Sequence, residues 1–136
     1  MPYELLATIG RIILGLYFLA AGAGKMFDPD PMTQIAQMTA NGIPAGELMF
    51  MLAAACETIA GLCFIIGLHV RLVAVLLAIF TVLVSVKLHA FWLEPEGHEK
   101  LVQMIMFLKN MATMGGLLAF AGFGSGPAAV DRLYGK

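Results

Sequence analysis

Six side chains carry the chemistry this sequence could do: Arg11, Lys25, Glu57, His89, Lys109 and Asn110. All six lie inside, or at the ends of, long apolar stretches. On insertion scales a charged group at the bilayer centre costs about 2.5–3.5 kcal/mol, so such groups face a bundle interior, pair, and mark ligand or proton sites. Their spacing is helical. Thr8, Arg11, Gly15, Phe18, Gly22 and Lys25 recur at intervals of three and four and form one stripe. Ala53, Glu57, Ala60 and Gly61 share a second face, and Thr81, Ser85 and His89 a third. Lys109, Thr113 and Gly116 share a fourth, with Asn110 beside it. Lys87 points away from His89 and sits near enough to a helix end to snorkel.

At the α-helical rise, Glu57 lies roughly 15 Å from one surface, Lys109 roughly 12 Å from the same surface, and Arg11 roughly 10 Å from the other. These depths predict that Arg11, Glu57 and Lys109 meet near the midplane, with Lys25 and His89 above them. Arg11 and Lys109 are cations, Glu57 is the single deep carboxylate, and Lys25 adds a further cation if it does not reach water. One carboxylate cannot neutralise that set. Either Lys109 is uncharged, or water enters, or an anion or electron-rich ligand sits there. Two readings share these residues. One is a buried ionic lock, Arg11–Glu57 and Glu57–Lys109, that fixes helix register. The other is a ligand site in which Glu57 or His89 exchanges protons.

The elements that position these groups follow from composition. The chain has 136 residues, 60% hydrophobic and 12% charged, with a mean hydropathy of +0.88. A soluble domain is nearer half apolar and a quarter charged, and a chain this short cannot hide so much apolar surface from water. The net charge of −1 supplies no field for nucleic acid. Four stretches, about 4–26, 46–67, 70–92 and 101–122, are long enough to span a bilayer. DPDP, NGIPAG, GLHVR and EPEGHEK punctuate them. The segment 31–41 is too short to span. Asp30 suits its N-cap, Pro31 its first position and Gly42 the residue past its end. The expected fold is all-α: a single transmembrane four-helix domain over 1–136, with a short interfacial helix between helices one and two. The acidic start at Glu4 and the long apolar run predict an uncleaved first span. Arg71, Arg132 and Lys136 share a side with both termini, while Asp28, Asp30, Glu94, Glu96 and Glu99 lie opposite, with Lys100 at the end of the fourth span. The charge bias predicts cytoplasmic termini. Phe91 and Trp92 resemble an interfacial anchor.

The remaining features are weaker. Cys56 and Cys63 lie seven residues apart in one apolar run, and read as packing residues whose redox state stays open. His69 and His98 fall in loops, and with His89 they form no metal spacing. Ten methionines read as adaptable packing that would suit a flexible, lipid-like ligand. No phosphate-binding or nucleophile-elbow motif is present.

The stretches GRIILGLYFLAAGAGKMFDP, NGIPAG, CETIAGLCFIIGLHVRLVA, KLHAFW and MFLKNMATMGGLL, taken together and in this order, resemble the DoxX family of small bacterial membrane proteins. The resemblance implies a four-helix protein of the bacterial inner membrane, in a family some of whose members are linked to thiosulfate oxidation feeding quinone or to oxidoreductase complexes. It maps the family's recurrent polar positions onto Arg11, Lys25, Glu57, His89, Lys109 and Asn110. It implies no covalently bound cofactor and a redox role through a diffusible quinone or a partner oxidoreductase subunit. Two other functions stay open: a small transporter or channel acting as a homo-oligomer, and a non-catalytic assembly subunit.

Overall fold

The computed structural model describes residues 2–135. Five α-helices follow one another: α1 (Pro2–Met26), α2 (Pro31–Ala40), α3 (Gly46–Ile66), α4 (Val70–Leu88) and α5 (His98–Phe123). Short 3₁₀ turns occupy Phe91–Leu93 and Val130–Tyr134. No strand occurs among the described residues. Four of the helices, all except α2, are long and apolar enough to cross a membrane. Leu5, Ile13, Leu52, Ile59, Leu76, Leu83, Ile105 and Leu118 are exposed, while Thr8, Arg11, Glu57, Thr81, Ser85 and Asn110 are buried. That inside-out distribution is what a four-helix transmembrane bundle requires, because hydrocarbon solvates leucine and not guanidinium.

The bundle is built as two helix pairs. α1 lies along α3 and α5 along α4, while α3 with α4 and α1 with α5 touch far less. The first pair is close because glycines face one another. A Cβ at Gly15 would stand 2.7 Å from Ile65 Cγ1 and 2.9 Å from the Gly61 carbonyl oxygen. A Cβ at Gly61 would stand 2.5 Å from the Leu19 nitrogen. Without a hydrophobic force between helices in lipid, such backbone approach supplies the packing energy. Around Phe64, Val70, Ala74, Leu77 and Leu117, all fully buried, the pairs meet in an apolar core.

Turn chemistry sets the ends. α3 stops at Gly67, whose φ of +77° allows the amides of Gly67 and Leu68 to reach the Cys63 carbonyl at 2.9 and 2.8 Å. α2 begins with Pro31 at its first turn and ends before Gly42, and it packs on α3 and touches α4. The Asp30 carboxylate does not cap the backbone of α2. It accepts the Thr33 hydroxyl at 2.6 Å. The third span was expected to run to residue 92, but α4 ends at Leu88. The turn at Phe91–Leu93 folds back so that Phe91, Trp92 and Phe107 stack edge to face at centroid distances of 5.3–5.6 Å. α5 begins at His98 rather than 101, placing His98 in a helix and not in a loop. Glu99 falls in its first turn, where the helix dipole favours an acid.

Candidate functional site

A cavity of about 190 Å³ opens between the two helix pairs toward the end where α1 finishes and α3 begins. α1 contributes Tyr17, Phe18, Ala21 and Lys25, α3 contributes Glu57, and α5 contributes Lys109 and Asn110. Phe80, Thr81 and Val84 of α4 and the following His89 complete the wall. Five of the six residues singled out by spacing therefore share one space, and the helical stripes explain why.

Arg11 is the exception, and the expected midplane meeting of Arg11, Glu57 and Lys109 does not occur. The facing glycines set an antiparallel register in which Arg11 lies level with Gly67. That level is roughly 15 Å along α3 from Glu57. Arg11 is 1% exposed. Its Nη2 donates to the Ala128 carbonyl, Asp131 acts on it electrostatically, and its Nε and Nη1 have no hydrogen-bond partner. The Cβ that Gly67 lacks would overlap Arg11 Nη1, so the guanidinium occupies space that only glycine leaves open.

Glu57 pairs instead with Lys25, whose Nζ lies 2.7 Å from Glu57 Oε2. Lys25 sits nearer the helix end, and its long stem carries the ammonium back to the carboxylate. An ionic lock between α1 and α3 thus exists, but between different partners. Lys109 Nζ donates to the Tyr17 hydroxyl at 2.9 Å and lies 5.2 Å from the ring centroid. No carboxylate other than Glu57 lines the cavity. His89 Nδ1 is hydrogen-bonded to Gln103 Oε1 at 2.8 Å, and Gln103 donates to Glu99 at 2.7 Å. Thr81 Oγ1 is buried without a hydrogen-bond partner. The arrangement offers one cation in excess, one free hydroxyl and a buried carboxamide, Asn110, around a space the size of a six-membered ring.

Sequence spacing missed Tyr17 and Asp131. Tyr17 lies one position off the polar stripe, and aromatic type was its only signal. Asp131 lies beyond the last span. Its Oδ1 accepts the His69 amide at 2.6 Å, its Oδ2 accepts the Val70 amide at 2.9 Å, and its own amide donates to Gly67 at 2.9 Å. A residue from the chain's far end thus caps α4, where His69 itself is left-handed with φ of +49° and makes no side-chain cap.

A sequence model of the DoxX family matches residues 6–90. The chain belongs to the DoxX family. The Escherichia coli (strain K12) inner membrane protein YqjF is 32% identical over 128 residues, 94% of this chain and 91% of the relative. The inner membrane protein YphA of the same organism is 32% identical over 127 residues, 93% of this chain and 89% of the relative. No solved structure matches the chain. The DoxX match covers α1 to α4 and with them Arg11, Lys25, Glu57 and His89. Lys109 and Asn110 come from α5, beyond its limit.

Proposed function

We propose that this DoxX protein is a redox-linked subunit of the bacterial inner membrane that binds a quinone-like head group in the cavity between its helix pairs. Both termini face the cytoplasm in this reading, from the loop-charge bias. The observation that carries it is Lys109: a cation within a spanning helix, on a cavity whose one carboxylate is already held by Lys25. The Thr81 hydroxyl adds an unused donor beside it, and the Asn110 carboxamide lies buried on the same wall. A ring carrying two carbonyl oxygens satisfies such donors without bringing a full charge into the membrane. The volume is somewhat larger than the ~150 Å³ that holds benzene in an engineered apolar cavity. Tyr17 and Lys109 are exposed at the loosely packed seam between α1 and α5, which gives an isoprenoid tail a route to lipid. Glu57 and His89 are the ionisable groups placed to exchange protons when electrons arrive from a partner oxidoreductase subunit. A small inorganic anion would use the same cation, and its binding would be indifferent to the tail seam.

The test is quinone extraction from protein purified in native lipid, with thermal shift against short-chain quinone analogues. The expected results are copurified quinone, a raised Tm, and affinity about tenfold weaker in Lys109→Met. Absence of quinone together with no shift for any analogue removes this function.

A further inference from the structure

At the opposite end of the bundle a second, larger cavity of about 520 Å³ lies where α5 ends and α4 begins. Its polar lining is His69, Arg71, Ser125, Asp131 and Arg132, with the backbone of Gly124 and Gly126. Arg71 Nη1 is anchored by the Ala121 and Gly122 carbonyls at 3.3 and 2.7 Å, and Arg132 Nε by the Gly126 carbonyl at 3.2 Å. Those bonds orient both guanidinium forks and leave Arg71 Nη2 and both Nη groups of Arg132 without a hydrogen-bond partner among the described residues. Asp131, the one acid in the lining among the described residues, is already committed to the His69 and Val70 amides. The cavity therefore keeps a surplus of positive charge with free, bidentate-capable donors. Gly124 and Gly126, both at positive φ, bracket Ser125, and among the described residues the amides of Ser125 and Gly126 donate to no backbone carbonyl. Fixed arginine forks beside free amides are the donor set of a phosphate site.

The rim places that site at a membrane surface. Leu72 and Phe123 are exposed in its lining, Phe123 at 90%. An apolar rim with a cationic floor at the end of spanning helices suits a group that carries phosphate at head-group depth. The geometry points to a binding site for a phosphate-bearing anion at this end of the bundle, supplied by the head group of an anionic phospholipid or by free phosphate. It is independent of the cavity that holds Lys109.

The full chain in nanodiscs of phosphatidylcholine, with and without phosphatidylglycerol, supplies the test by native mass spectrometry. A parallel thermal shift in detergent uses inorganic phosphate as the probe. Expected is selective retention of phosphatidylglycerol, weakened about tenfold by Arg132→Gln and again by Arg71→Gln. Lys87→Gln, an exposed lysine at the far end of α4, leaves it unchanged. Arg132 is exposed, so its variant folds even if Arg71→Gln does not. A phosphate-induced shift lost in Arg132→Gln, without lipid selectivity, keeps the site and assigns it to the free anion. Equal retention of both lipids, with no phosphate shift, overturns it.

Discussion

The two ends of this bundle bury charge in different ways. Around Arg11 the charge is enclosed by structure: a carbonyl of the C-terminal segment accepts from Nη2, Asp131 acts on it while capping α4, and Nε and Nη1 are walled in with no open space to reach a ligand. Around Lys109 the charge borders open space, with a tyrosine hydroxyl for company and an unpartnered threonine beside it. Arg11 is buried and Lys109 exposed at the cavity, and Arg11 is the less suited to bind anything. Burial of a charge inside a membrane marks importance. Whether the importance is architectural or chemical depends on whether the neighbouring polar groups have already found partners.

Three substitutions sharpen that contrast. Asp131→Ala leaves the His69 and Val70 amides uncapped and removes a carboxylate that acts on Arg11, and should cost about 2–4 kcal/mol of stability in detergent unfolding. A loss under about 1 kcal/mol would mean the Arg11 end is not held by its polar contacts. Glu57→Gln at the other end should cost about 1 kcal/mol, since Lys25 keeps an acceptor and remains partly exposed. A cost matching that of Asp131→Ala would make both ends architectural. Thr81→Val should change stability by less than about 0.5 kcal/mol, because the hydroxyl it removes satisfies nothing. The same variant should weaken quinone-analogue binding, and a large destabilisation with binding intact would show the hydroxyl to be a packing group.

Much of this was legible in the sequence because hydrophobic periodicity encodes it. The spans, the short helix after Pro31 and the gathering of Glu57, His89, Lys109 and Asn110 on one cavity all follow from three-and-four spacing, although Lys109 stays exposed at its mouth. Depth was the weak link. Counting residues from each surface put Arg11 within reach of Glu57. The register is set by Gly15 against Gly61, a contact between helices that neither helix declares alone. Lys25 was placed by its Cα, while its ammonium lies a side chain's length deeper. The end of α4 was hidden by apolar Phe91 and Trp92, which read as continued helix until Phe107 is there to stack on them. Asp131 had no periodic neighbours to reveal it.

The position of Asp131 bears on how the protein is made. Arg11 enters the membrane with the first helix, and the carboxylate that acts on it lies 120 residues further along the chain. During the interval the guanidinium has to be tolerated by lipid, water or the insertion machinery, near a Gly67 turn that is itself incomplete. Closing that end therefore waits until α1 to α5 have all been made, and a chain stopped before Ala128 would leave the Arg11 guanidinium with neither the carbonyl that accepts from it nor the carboxylate near it.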